Sequence, residues 1–175
     1  MTAWTPLTPH AAGEYISLSD WNNAVGNLNF LYERAYAIAY NSSSASVPTG
    51  GTKQVPLTAS APGVVNYGAT VSANNVVVPF DGLYQVLFAV NFTSAAGSGS
   101  NAVYSAVYQN GNQVILGSEV PSYVQGGATT NGSGLIACSA NDTIGLYASN
   151  LSGSTLYTNN AFTATFLHVN FMGAN

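Results

Sequence analysis

The chain has 175 residues, enough for one domain with a short appendage. Eight of them are charged, 5 % of the chain against roughly 25 % in an average soluble protein, and the formal net charge is −4. Arg34 and Lys53 are its entire cationic supply, too little for the phosphates of nucleic acid or an anionic membrane surface. A hydrophobic content of 47 % takes it out of the charge-rich disordered classes.

No run of about 18 apolar residues is present, so no transmembrane helix is expected. The first six residues lack a basic segment followed by an apolar one, so no signal peptide is expected either. Cys138 stands alone, which removes a disulfide framework and a cysteine-based zinc site. Five Asn-x-Ser/Thr triplets, at Asn41, Asn91, Asn131, Asn141 and Asn150, are read as chance in a chain rich in these residues.

In chain order, residues 1–40 read as an extended arm with Pro6 and Pro9, followed by one helix. Ser17 and Asp20 stand three apart as in a capping box, with Ser19 as the competing N-cap. Trp21, Val25, Leu28 and Tyr32 then recur at spacings of 4, 3 and 4, an apolar stripe about three turns long. Gly26 and several asparagines make helix propensity poor, so this helix needs a docking partner. Residues 41–52 read as a flexible connector rich in Ser, Thr and Gly.

Residues 53–175 read as a β domain. Strands are expected at 53–59, 62–67, 74–80, 82–93, 101–109, 112–120, 130–138, 142–149 and 161–172. Asp81-Gly82, Asn110-Gly111 and Asn131-Gly132 are turn dipeptides, and Asn110-Gly111 carries the strongest hairpin signature. Eight to nine short antiparallel strands in this length define an all-β fold, a jelly-roll β-sandwich with a short N-terminal arm and one α-helix.

The strand faces carry further information. Tyr84, Val86, Phe88, Val90 and Phe92 share one face and form a core stripe, yet the opposite face holds Leu83, Leu87 and Ala89. The last strand is apolar on both sides too, and Tyr104 and Tyr108 oppose Val103 and Val107. A lone sandwich leaves one face of each sheet wet, so a second covering surface is expected, most simply another copy of the chain. The interface candidates are Leu83, Leu87, Tyr104, Tyr108, Phe166 and Phe171.

Three stretches resemble the trimeric jelly roll of the tumour-necrosis-factor and complement globular-head family. They are residues 78–86, with Val78-Pro79-Phe80-Asp81-Gly82-Leu83-Tyr84, the hairpin Tyr108-Gln109-Asn110-Gly111, and residues 133–146 with Asn141-Asp142-Thr143-Ile144. The final Phe162-Thr163-Ala164-Thr165-Phe166-Leu167 is similar to that family's last strand. The resemblance covers about residues 53–173 and implies a homotrimer. Trp4-Thr5-Pro6, Trp21-Asn22 and Gly26-Asn27-Leu28 resemble the N-terminal segments of small tailed-phage virion proteins, in which an arm and helix attach an exposed β domain to the particle.

Chemistry is scarce. A nucleophilic triad needs a histidine beside a nucleophile and a carboxylate, and only His10, in the arm, and His168, in an apolar strand, exist. Among the six acids, Asp20 reads as a cap and Asp81 and Asp142 as turn residues, so no carboxylate pair emerges. No catalytic residue, cofactor or metal is expected. Loops 94–101, 121–132 and 149–160 are rich in Ser, Gly, Asn and Tyr, and Tyr123, Tyr147 and Tyr157 are the ligand candidates there. The resulting expectation is a non-enzymatic virion protein, a trimeric capsid decoration or cement protein. Residues 1–40 would bind the major capsid protein or another virion protein, and residues 53–175 would form the head. The alternative is a receptor-binding or tail-fibre tip module that recognises a host surface glycan.

Overall fold

Alternation in residues 82–92 sets the architecture. The computed structural model describes residues 14–32, 34–59, 66–93, 102–121, 127–161 and 164–173, with backbone alone for 29–32. One helix, α1 (Leu18–Tyr32), precedes thirteen strands in the described residues. They are β1 (Tyr36–Asn41), β2 (Ser46–Val47), β3 (Gly51–Gln54), β4 (Leu57–Thr58), β5 (Thr70–Ser72), β6 (Asn75–Val77) and β7 (Gly82–Phe92). There follow β8 (Ala102–Gln109), β9 (Asn112–Pro121), β10 (Ala128–Cys138), β11 (Thr143–Asn150), β12 (Leu156–Tyr157) and β13 (Phe166–Gly173). One sheet runs β10-β7-β13-β1-β4 and the other β5-β6-β11-β8-β9, with β3 also on β11. All pairings are antiparallel, and most neighbours are distant in sequence, which is the signature of a jelly roll.

The core lies between the sheets. Tyr84, Val86, Phe88, Val90 and Phe92 of β7 face Ile144, Leu146 and Ala148 of β11 and Val103 and Val107 of β8. Leu167, Val169 and Phe171 of β13 complete the inner face. Phe171 is therefore a core residue and not an interface candidate. It is 4 % exposed, and its ring meets Tyr84 edge-on at 5.2 Å and Phe80 at 6.0 Å. Tyr84 keeps its hydroxyl satisfied by donating to Phe80 O at 3.0 Å. Ser105 and Thr130, both buried, pair across the sandwich through their hydroxyls at 2.7 Å.

The expected Asn110-Gly111 hairpin is present, with both residues at positive φ (51° and 82°) and Gln109 in register with Asn112. This is the geometry of a type I′ turn. Asn131-Gly132 is not a turn. Both residues lie inside β10, paired with Ala89 and Phe88 of β7. Gly132 is there for room, because a Cβ would sit 2.5 Å from the Phe88 ring.

Residues 36–54 belong to the β domain rather than to an arm and a connector. β1 pairs with β13 from Tyr36↔Asn170 to Tyr40↔Phe166, and β3 pairs with β11. The polar residues expected to loosen this stretch instead fix it. Asn41 Nδ2 donates to Thr158 Oγ1 (3.0 Å) and Asn159 O (2.9 Å), and Ser44 Oγ donates to Thr158 O (2.8 Å). Asn150 Nδ2 reaches Val47 O (2.8 Å), tying β2 down. The strand expected at 53–59 is two strands in different sheets, because β3 joins β11 while β4 joins β1. The crossover falls at Pro56, which has no N–H to continue a ladder. The strand expected at 74–80 is the second arm of a β5–β6 hairpin turning at Ala73-Asn74. Of the expected strand at 62–67, residues 62–65 lie outside the described residues, and Tyr67 bridges Tyr36.

Candidate interaction surfaces

The N-terminal helix begins as its sequence implies. Asp20 N donates to Ser17 Oγ at 3.1 Å, and Trp21 N donates to Ser17 O at 3.0 Å. Ser17 is thus the N-cap, and Ser19 lies inside the helix with its hydroxyl 2.7 Å from that of Ser17. Trp21 is 60 % exposed, Val25 41 % and Leu28 64 %, and Leu18 beside them is 75 % exposed. Among the described side chains of α1, the buried ones are the polar Asp20 and Asn27. The described part of the apolar stripe, Trp21, Val25 and Leu28, is therefore turned outward. The side chain of Tyr32 lies outside the described set.

The sheet containing β7 and β13 has an unusual outer face. On β1 the inward positions are Ala37, Ala39 and Asn41, all buried, as is Ala35 just before it, while Tyr36, Ile38 and Tyr40 point the other way. In register, Tyr40 lies beside Phe166, and Ile38 beside His168. His168 is in turn beside Leu87, and Asn170 beside Gln85. Leu83 and Leu87 are half-buried on this face, and Leu135 stands exposed on the neighbouring β10. Of the sequence-derived interface candidates, this face gathers Leu83, Leu87 and Phe166. Tyr36, Ile38 and Tyr40 were missed because β1 was assigned to the arm. The alternation small-large from Ala35 to Tyr40 is the signal that marks them.

The His168 ring contacts Phe166, with centroids 4.6 Å apart and planes tilted by 42°, and burial lowers its pKa below the usual histidine value. Its register partners are Ile38 and Leu87. This places a neutral imidazole in an apolar sheet, with neither nucleophile nor carboxylate in register. The Cys138 thiol is buried, which pushes its pKa up to about 11. Asp142 is held below the ordinary carboxylate range, chiefly by Asn110 Nδ2 at 2.7 Å, with Ser139 N at 2.9 Å and Gln109 Nε2 at 2.7 Å. It fastens the β8–β9 hairpin to the turn before β11. Asp81 caps the same turn by accepting from Ala140 N at 2.7 Å. Among the described residues no three His, Cys, Asp or Glu side chains are grouped to hold a metal ion.

Tyr104 and Tyr108 lie on the other sheet, facing away from the first. Tyr108 stacks on Tyr147 of β11, with ring centroids 4.1 Å apart and planes tilted by 33°. Tyr147 is therefore a strand residue and not a loop residue. Tyr157, on β12, is 49 % exposed and pairs with Ser46, apart from that stack. Tyr123 and the whole of 94–101 lie outside the described residues. Loop 121–132 is shorter than expected, because β10 already begins at Ala128.

Against solved structures, the chain matches murine APRIL (crystal at pH 8.0) with a TM-score of 0.59 and 12 % identity, covering 79 % of this chain and 99 % of that one. It matches Eiger TNF from S. frugiperda with a TM-score of 0.64 and 12 % identity, covering 82 % and 95 %. No family model and no curated sequence matches the chain. At this identity the likeness is one of fold, and the fold is that of a TNF-like jelly roll.

Proposed function

We propose that this chain is a non-enzymatic structural protein that works as a homotrimer, its copies meeting through the outer face of the β7–β13 sheet. The observation that carries this reading is β1, which turns alanines inward and Tyr36, Ile38 and Tyr40 outward. A strand facing water would have the reverse arrangement, since burying large apolar side chains is the dominant favourable term. Low charge and aromatic enrichment suit the core of a permanent interface. In this reading the exposed stripe of Trp21, Val25 and Leu28 attaches each subunit to a larger assembly. Three copies of a weak anchor act together through effective concentration. The N-terminal motifs that resemble phage virion proteins support a particle surface as that assembly, with the trimer as a capsid decoration or cement protein on the major capsid protein.

Native mass spectrometry of the full chain tests the oligomer. The expected species is the trimer, and Leu87→Asp is expected to yield a folded monomer. A wild-type monomer at micromolar concentration overturns the interface. Antibody-gold labelling of purified particles tests the location, with label over the shell expected. Label confined to the tail supports a second reading, a receptor-binding or tail-fibre tip module, which the tyrosine cluster on the other sheet favours.

A further inference from the structure

We infer that the outer face of the β11–β8 sheet is a binding platform for uncharged, pyranose-containing oligosaccharides, centred on Tyr108 and Tyr147. The inference rests on the reading above only in needing this face to stay outward when copies meet through the other sheet.

The platform is built on β11 and its neighbours β8, β3 and β6. Tyr108 is in register with Gly145 of β11, and Tyr147 with Gln54 of β3. Asn75 of β6 is also in register with Gly145. Gly145 lets the amides close up to the ring, because a Cβ there would lie 2.6 Å from Asn75 Oδ1 and 3.1 Å from both Gln54 Nε2 and the Tyr147 ring. Gln54 Nε2 donates to Asn75 Oδ1 at 2.9 Å and to Asn74 O at 3.2 Å, so the amides are held in place. On the far side the Tyr108 hydroxyl donates to Gln113 Oε1 at 3.4 Å. Tyr104 continues the aromatic row along β8, with Glu119 opposite it on β9.

The chemistry of the patch selects the ligand. Flat aromatic carbon suits the C–H face of a sugar ring, and the bordering amides offer both donors and acceptors to its equatorial hydroxyls. Tyr and Asn provide such contacts at low conformational cost. An anionic ligand is disfavoured, because the charged side chain this face offers among the described residues is the carboxylate of Glu119. A flat apolar partner surface is disfavoured by the amides of Gln54, Asn75 and Gln113 and the exposed Thr52 hydroxyl around the rings. The site differs from the loops named by the sequence, since Tyr147 belongs to it through a strand.

The test is saturation-transfer NMR on the full chain. The probes are tetrasaccharides built from glucose, galactose, mannose, rhamnose or N-acetylglucosamine. Transfer to at least one is expected, with binding weakened tenfold or more in Tyr108→Ala and Tyr147→Ala and unchanged in Tyr157→Ala. Circular dichroism on each variant separates lost binding from lost folding. If either tyrosine variant misfolds, Gln54→Ala and Gln113→Ala replace it, with a change in sugar preference expected. Transfer to none of the sugars, or equal binding in all variants, overturns the platform and leaves the tyrosines as a cross-strand pair. Native mass measured on the same samples keeps the two readings apart. A monomer that binds sugar loses the interface and keeps the platform, and a trimer that binds none does the opposite.

Discussion

Phe88 occupies a place that two glycines make for it. A Cβ on Gly132 would lie 2.5 Å from its ring, and one on Gly117 2.9 Å. The two strands bearing these glycines, β9 and β10, are the edges of opposite sheets, and Asn131 N donates to Ser118 Oγ at 3.0 Å between them. The closure of this side of the sandwich therefore depends on missing side chains. Gly132→Ala is expected to destabilise the fold by about 1–3 kcal/mol through overpacking, read as a lower urea midpoint with an unchanged slope. Asn150 works by the opposite principle, as a buried side chain that satisfies others. Its amide donates to Val47 O and to Ser154 O (2.9 Å), and its carbonyl accepts from Ser152 N (2.8 Å). Asn150→Ala orphans these groups and is expected to cost about 1–3 kcal/mol for each that stays dry, checked by the same denaturation series. Both roles were hidden in the sequence. Asn131-Gly132 has the composition of a turn, and Asn150 that of a glycosylation triplet. Only the partner strand reveals that one makes space and the other fills it.

At the scale of elements, the long strands were legible because every second residue of 84–92 and of 144–148 is apolar and lies in the core. Asn110-Gly111 was legible because its chemistry demands positive φ at both positions. The β5–β6 turn was not, since Ala73 adopts φ 47° without any turn signal of its own. Residues 36–54 were misread for a related reason. Their strands are short, their inward residues are alanines, and their polar groups are satisfied by Thr158, Asn159 and Asn150 from more than a hundred residues away, which no local pattern announces. The helix and its Ser17 cap were legible, and the structure adds that Trp21, Val25 and Leu28 are exposed. Replacing Val25 and Leu28 by Asp is accordingly expected to leave the unfolding midpoint of the β domain unchanged, within about 0.5 kcal/mol. The same double variant is expected to abolish attachment to the particle, measured by co-sedimentation. Loss of the β domain's cooperative unfolding in that variant would mean that α1 is part of the core.

For the whole molecule, the two outer faces divide the labour. One is a grid of apolar and aromatic side chains, and the other is polar around a tyrosine cluster, so a closed trimer that hides the first exposes the second. His168 sits within the first, flanked in register by Ile38 and Leu87, stacked on Phe166, with Asn170 two residues on. The titratable groups facing it from the described neighbours are the phenols of Tyr36 and Tyr40 on β1. Burial holds its pKa below the ordinary value near 6.5, so the unfolded chain binds a proton more readily than the folded one. Stability is then complete above about pH 6.5 and falls as the pH drops toward the depressed folded value, with a slope of at most about 1.4 kcal/mol per pH unit per chain. Asp142, whose pKa lies below 3.8 in the fold, adds its own loss only at more acid pH, so the two windows separate. Because the proposed interface would bring three copies of His168 together, protonation there also charges the seam, and the trimer is expected to loosen as the pH falls below the ordinary histidine value, before the subunits unfold. Native mass spectrometry and thermal unfolding from pH 8 to pH 5 check this. His168→Gln is expected to flatten both profiles across that window, and a His168→Gln variant whose profiles match the wild type would place His168 away from the seam.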